Sequence, residues 1–387
     1  MHILISAVSS ARQPSGICRH AANLATALAD EPKASRVTLL IGHWQIAYFR
    51  AAFGVSNTPT AILPVDLAIN PWARNAWYYF TLPTIVREQG ADILQLSFPA
   101  PIRKSLFRCP LVLSLHDLYP YDAPSNFGYL RVLFNRAFLR QALRASDAVV
   151  CSSNFTLDRL RRYAPAIASQ KAIRIYQSVP LDPCSEVPPA AQLGIAGPFL
   201  LAVAQHRRNK NLDMLISAFA IFRQRRADQS LRLVIVGSEG PETRALRSLV
   251  ERLLLHQHVL FVSGLRDAEL CWLYRSCELL VVPSSIEGFC FPLVEALRCG
   301  SRILCSDIPV LREVGESRCD YFKRELGAAG LAKAMETASH RPLPEPHISD
   351  RFRRDEIARQ YLALYTRLVS DRHQPAPSAQ LYHESVQ

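Results

Sequence analysis

The chain has 387 residues, 49% apolar and 20% charged. It is too long for one hydrophobic core and too apolar for a disordered chain, so two domains of ordinary size fit. Its formal net charge of +12 is uneven: residues 1–181 hold 19 Lys and Arg against 9 Asp and Glu (+10), the remainder 26 against 24 (+2). A basic first half can attract the anionic headgroups of a membrane surface. Nucleic acid is not an expected partner, because no helix-turn-helix, RRM or zinc-finger pattern accompanies the charge.

The opening Met1-His2-Ile3-Leu4-Ile5-Ser6-Ala7-Val8 has neither the basic start nor the length of a signal peptide and reads as a first β-strand. No apolar run approaches the roughly 20 residues that span a bilayer. The expected location is the cytoplasm, with peripheral contact on the inner face of the plasma membrane as an extension of the basic charge. The 10 cysteines form no CxxC pair or Cys/His ligand cluster. That pattern suits buried thiols in a reducing compartment and offers no metal site.

In chain order, apolar runs alternate with amphipathic stretches, the pattern of parallel α/β units. First-half strands are expected at His2–Val8, Arg36–Ile41, Asp92–Phe98, Pro110–His116, Asp147–Cys151 and Ala172–Tyr176. Helices are expected near Cys18–Ala29, Arg74–Gln89, Phe127–Ala145 and Asn154–Tyr163. A Pro-rich stretch then marks a linker. Second-half strands follow at Phe199–Ala204, Arg232–Val236, Val259–Val262, Leu279–Val282 and Arg302–Cys305. The expected organisation is a first domain over 1–180, a linker over 181–197, a second domain over 198–354, a helix over 355–371 and a polar, disordered tail over 372–387. In open α/β sheets, ligands bind beyond the carboxyl ends of the strands, so functional residues belong in the loops that follow them.

The loop after Leu279–Val282 is the most informative. It reads Pro283-Ser284-Ser285-Ile286-Glu287-Gly288-Phe289-Cys290-Phe291-Pro292-Leu293-Val294-Glu295-Ala296. A helix starts around Pro292, whose missing N–H costs little in a first turn. The loop amides of Gly288, Phe289, Cys290 and Phe291 can donate to hydroxyl or phosphate oxygens, and the helix dipole favours an anion there. A carboxylate accepts paired hydrogen bonds from adjacent hydroxyls, so one of Glu287 and Glu295 suits a sugar and the other a ribose.

This string resembles the E-x7-E element of the retaining glycosyltransferases of family 4, and the segment from Cys299 to Gly315 resembles the family's continuation. The resemblance implies a GT-B fold, α/β with two facing Rossmann-like domains, whose C-terminal helix crosses back to the first domain. It also implies that Glu287 contacts the donor sugar and Glu295 the ribose. Cys290 stands where the family has its second glycine, a departure expected to narrow the sugar pocket.

Further segments carry weaker likeness. In Gln205-His206-Arg207-Arg208-Asn209-Lys210-Asn211-Leu212, Lys210 takes the place of the family's diphosphate-neutralising lysine, with Arg207 or Arg208 in place of the usual arginine. Pro14-Ser15-Gly16-Ile17-Cys18-Arg19-His20 resembles the family's glycine loop, which implies a close approach of the Gly16 and Ile17 backbone to donor phosphate or acceptor. His116, in His116-Asp117-Leu118, is implied beside the reacting sugar, with Asp117 capping the next turn. Gly264 and Leu265 resemble the loop beside the nucleotide base.

The expected activity is hexosyl transfer from a GDP- or UDP-linked sugar, GDP-mannose first, to a glycan or lipid-linked acceptor, with retention and without a metal or other cofactor. His116, Lys210 and Glu287 are the expected catalytic residues. Two alternatives remain at this stage: a non-catalytic nucleotide-sugar-binding subunit of a glycan-assembly complex, and a GT-B sugar-nucleotide epimerase. A dehydrogenase is disfavoured, since no G-x-G-x-x-G follows a strand.

Overall fold

The computed structural model describes residues 1–10, 15–51, 59–122, 124, 129–179, 194–195, 197–226, 230–347 and 349–373. The expected linker falls mostly outside these residues, as do positions 374–387 of the expected tail.

Two parallel sheets organise the chain. The first holds β1 (His2–Ser6), β2 (Arg36–Gly42), β3 (Ala61–Val65), β4 (Ile93–Leu96), β5 (Leu111–Leu115), β6 (Ala148–Cys151) and β7 (Ala172–Arg174), in the order β3-β2-β1-β4-β5-β6-β7. The second holds β8 (Phe199–Val203), β9 (Arg232–Val236), β10 (Val259–Val262), β11 (Leu279–Val282), β12 (Ile303–Ser306) and β13 (Asp320–Phe322), in the order β10-β9-β8-β11-β12-β13. Central strands such as β1, β4, β5 and β11 are buried throughout. Burial on both faces is why they read as unbroken apolar runs rather than alternating ones. Strand order reverses between β1 and β4 in one sheet and between β8 and β11 in the other, and such switch points open the crevices where ligands sit.

Each expected strand is present, most of them shorter by one to three residues. Two edge strands were not anticipated. β3 contains Pro64 and pairs only with β2, so the missing N–H interrupts no second ladder. β13 has only 3 residues and pairs only with β12. The single helix expected over Arg74–Gln89 is corrected to three pieces, Pro71–Ala76, a π-helical turn at Trp77–Thr81, and Leu82–Glu88. Pro83 cannot sit inside a regular α-helix, and the wider turn before it accommodates the ring.

The last helix, Arg354–His373, returns to the first domain and packs on the helix Gly16–Ala29. Tyr365 Oη donates to Gln95 Oε1 at 2.8 Å, and Arg354 reaches Thr26 O at 2.6 Å and Asp30 at 2.5 Å. Cys271 lies with its sulfur 3.6 Å from that of Cys299. Among the described residues no helix is long and apolar enough to cross a membrane.

Candidate functional site

Loops from both sheets surround one cavity of about 550 Å³ between the domains. The second domain's switch point supplies the loops after β8 and β11, which are sewn together. Ser285 N and Oγ both donate to Asn209 O, and Asn211 Nδ2 donates to Pro283 O. This joint brings Lys210 to Glu287, with Nζ 2.6 Å from Oε1, and Ser284 Oγ donates to the same oxygen at 2.7 Å. The pair is largely buried at the cavity wall.

Arg207 lines the same cavity, but Arg208 does not. That corrects the expectation for Arg208. The segment Arg208–Lys210 is a 3₁₀ turn entered at Arg207. In such a turn residues three apart eclipse, so Arg207 and Lys210 share a face and Arg208 points away.

Glu295 lies in the helix Phe291–Cys299, one position beyond its first turn, and is buried against the second domain. Its Oε2 accepts from Tyr274 Oη at 2.8 Å, and its Oε1 lies 4.0 Å from an Arg19 nitrogen. Burial pushes this carboxyl above its ordinary range, while Arg19 and the Tyr274 hydroxyl pull it back. Cys290, at the helix entry, has φ 79° and ψ 76° and makes no side-chain cap. A side chain in this left-handed region costs about 1–2 kcal/mol, the physical reason the family's glycine is the easier residue there. Burial raises the Cys290 thiol far above its usual range, so it stays protonated. Gly288 has no such choice: a Cβ there would stand 1.8 Å from His116 O, across the domain gap.

From the first domain, Gly16, Ile17, His116 and Asp117 reach the cavity. Ser15 caps the helix that Gly16 begins, its hydroxyl accepting from Cys18 N. Gly16 is not sterically compelled by the protein itself, since an added Cβ would meet Phe291 Cδ2 at 3.8 Å. Asp117 Oδ1 accepts from Tyr119 N at 3.0 Å, the turn cap expected of it, and burial pushes its carboxyl up to about 6.

His116 departs from expectation. Its Nε2 faces Ser97 O at 2.8 Å, and its Nδ1 faces Gln177 Nε2 at 2.8 Å. Burial lowers its pKa to about 4, so the ring is neutral. A carbonyl only accepts, so Nε2 carries the proton and Nδ1 accepts from the Gln177 amide. Both ring nitrogens are thereby engaged within the protein, so a hydrogen bond from His116 to a donor sugar would have to displace Ser97 O or the Gln177 amide. The ring orients Gln177. Its Oε1 is buried without a partner, and so is Asn209 Oδ1; both residues line the cavity. A buried carbonyl left unpaired is costly, and hydroxyl groups of a ligand would satisfy it. Sequence reasoning missed both amides.

Gly264 and Leu265, together with Gly288, Phe289, Cys290 and Phe291, also line the cavity. Among the described residues no group of three or more His, Cys, Asp or Glu is arranged to hold a metal ion.

Solved structures of similar architecture include HepE of Anabaena in complex with UDP and glucose, at 19% identity and TM-score 0.65, covering 96% of this chain and 97% of that one. The sucrose-phosphate synthase of Thermosynechococcus elongatus is similar at 19% identity and TM-score 0.70, covering 96% and 99%. Two facing parallel-sheet domains, joined again by a returning terminal helix and lining one cavity between them, define a GT-B protein. The profile described as Glycosyltransferase Family 4 matches residues 14–183, and that described as Glycosyl transferases group 1 matches residues 191–342. The chain belongs to the glycosyltransferases of family 4.

Two curated relatives come from Escherichia coli. An O-antigen chain mannosyltransferase B is 27% identical over 209 residues, 52% of this chain and 54% of that protein. A serotype-specific mannosyltransferase WbdA is 30% identical over 213 residues, 51% of this chain and 25% of that protein. The match thus spans about half the length of the first relative and a quarter of the second.

Proposed function

We propose that the chain is a retaining hexosyltransferase that moves a sugar, mannose from GDP-mannose first among donors, to a hydroxyl of a glycan or lipid-linked acceptor in polysaccharide or glycolipid biosynthesis. The observation that carries the reading is the joined pair Lys210–Glu287 at the second domain's switch point, with Arg207 on the same face. In this reading these cations meet the departing nucleoside diphosphate, since fixed cations aimed at developing negative charge favour the transition state over the ground state. They do so without a metal or other cofactor. Glu287 holds the sugar, with the unpaired carbonyls of Gln177 and Asn209 as further acceptors, and Glu295 holds the ribose.

In the transfer step the acceptor oxygen forms a bond to the anomeric carbon on the face the diphosphate leaves. The bond from that carbon to the phosphate oxygen breaks with its electron pair, and the leaving phosphate takes the acceptor's proton. The mannosyl donor is supported by the names of the Escherichia coli relatives, and a nucleotide occupant by the UDP complex of the similar Anabaena structure.

The proposal includes a cytoplasmic location with peripheral contact to an anionic membrane through the first domain. Exposed Trp72 (73%), Phe80 (68%) and Phe134 (52%) support it, with Trp72 and Phe134 rings 6.3 Å apart and Arg74 and Arg136 nearby in sequence. Aromatic rings flanked by basic side chains suit the headgroup layer.

The test is thermal unfolding against a panel of nucleoside diphosphates, followed by product analysis with nucleotide sugars in the presence of a chelator. One diphosphate should raise the midpoint, by about 2.7 kcal/mol of stability at a hundredfold excess over its Kd. Transfer should survive the chelator and fall about 10²–10³-fold in Lys210→Ala. Transfer near wild type in that variant rejects the assignment. Binding without transfer identifies a binding subunit, and an epimerised nucleotide sugar identifies an epimerase.

A further inference from the structure

We propose that Arg19 is a positioning residue that couples closure of the two domains to the charge on the ribose carboxylate Glu295. The inference rests on the reading that Glu295 receives ribose hydroxyls. Arg19 stands on the first domain's helix Gly16–Ala29, with only 11% of its side chain exposed. It grips Asp267, the first residue of the second domain's helix Asp267–Ser276, through both ends of its fork: Nη1 to Oδ2 at 2.9 Å and Nη2 to Oδ1 at 2.5 Å. The same Nη2 faces Glu295 Oε1 at 4.0 Å. Since Tyr274 occupies Oε2, Oε1 is the oxygen turned toward the guanidinium. Arg19, Asp267 and Glu295 all line the cavity.

The chemistry follows from this sharing. A buried carboxyl tends to keep its proton, and a protonated carboxyl is a poor partner for two adjacent ribose hydroxyls. The groups that face Glu295 are Arg19, Asp267, the Tyr274 hydroxyl, and the thiols of Cys290 and Cys299. Tyr274, Cys290 and Cys299 are all pushed upward, chiefly by burial for the first two and by the Cys271 hydrogen bond for Cys299, so they are neutral. Asp267 opposes a second negative charge, and Arg19 is the cation among the five. Arg19 comes from the opposite domain, so it stands there only when the cleft is closed. The paired Asp267 grip fixes its plane, which a lysine's single ammonium cannot reproduce.

The experiment uses the full chain carrying Arg19→Gln, Arg19→Lys or Asp267→Asn. Calorimetric binding of GDP and UDP is followed from pH 5.5 to 8.5, beside the 2′,3′-dideoxy analogue. Small-angle scattering without ligand reports closure. Arg19→Gln should weaken diphosphate binding about 10- to 100-fold. Its loss should deepen toward acid pH, because Glu295 protonates at a higher pH once the cation is gone. Arg19→Lys should restore much of the pH profile but only part of the affinity. Asp267→Asn should expand the molecule in solution and, by withdrawing Arg19 from Glu295, move the acid limb upward, though less than Arg19→Gln does because it also removes a like charge. Affinity for the dideoxy analogue should be the least sensitive to Arg19→Gln. A pH profile and affinity in Arg19→Gln that match a nucleotide-binding wild type overturn the proposal alone. A wild type that binds neither diphosphate overturns the site reading and this proposal with it.

Discussion

Two glycines in the cleft give opposite forecasts that separate packing from ligand approach. At Gly288 an added Cβ would lie 1.8 Å from His116 O, where contacts below 3.0 Å force something to move. Both partners are backbone, so no rotamer relieves the overlap, and the domains must part by more than 1 Å. That movement strains the two contacts that cross the gap: Ser152 Oγ to Gly288 O at 3.1 Å and Thr156 Oγ1 to Gly288 O at 3.4 Å. Each is worth about 0.5–1.5 kcal/mol. Displacing the neighbouring Glu287 by about 1 Å costs on the order of 10²-fold in rate. Gly288→Ala should therefore lose about 100-fold in transfer while each domain stays folded. Gly16→Ala meets only Phe291 Cδ2 at 3.8 Å, so its unfolding midpoint should match wild type. Its diphosphate affinity should fall if the ligand approaches that backbone. Steady-state transfer and thermal unfolding on both variants decide the matter. Gly288→Ala working within about fivefold of wild type would refute the steric reasoning, on the same 10²-fold scale.

Two further forecasts concern proton linkage and the membrane. Asp117, raised to about 6 by burial, stabilises the fold at acid pH and loses that contribution as pH rises from about 4 to 6. His116, lowered to about 4, and His20, lowered well below 6.5, act oppositely, since below pH 6.5 the unfolded chain takes their protons more readily. Asp117→Asn keeps an oxygen for Tyr119 N, yet should lose about 2 kcal/mol more than wild type between pH 6.5 and 4.5. Urea midpoints at the two pH values test this, and parallel behaviour refutes it. Co-sedimentation with vesicles containing phosphatidylglycerol should decline in Trp72→Ser plus Phe134→Ser and at high salt. Unchanged binding would remove those rings from the membrane contact.

Legibility in the sequence followed how local each feature is. The two carboxylates, Lys210 and the loop amides share short segments, and the strand–loop–helix order that positions them is itself local. Arg208 misled because the sequence shows a run of cations but not the 3₁₀ turn that divides them. His116 does line the cavity. Its hydrogen bonds come from Ser97 and Gln177, 19 and 61 residues away, so its occupied nitrogens were invisible. Tyr274, Gln177 and the Arg19–Asp267 grip depend likewise on partners 21 to 248 positions distant. The one local hint of Arg19 was its position just after Gly16-Ile17-Cys18 in a loop already singled out. Edge strand β3 was hidden by Pro64, whose meaning depends on having a neighbour on one side only.

Because the helix Arg354–His373 comes home to the first sheet, the polypeptide passes between the domains twice, once between residues 179 and 194 and again near residue 350. Two covalent connections restrict relative motion more than one would. The opposing groups that line the cavity thereby keep closer to one register, which is what a site assembled from two separately folded halves requires.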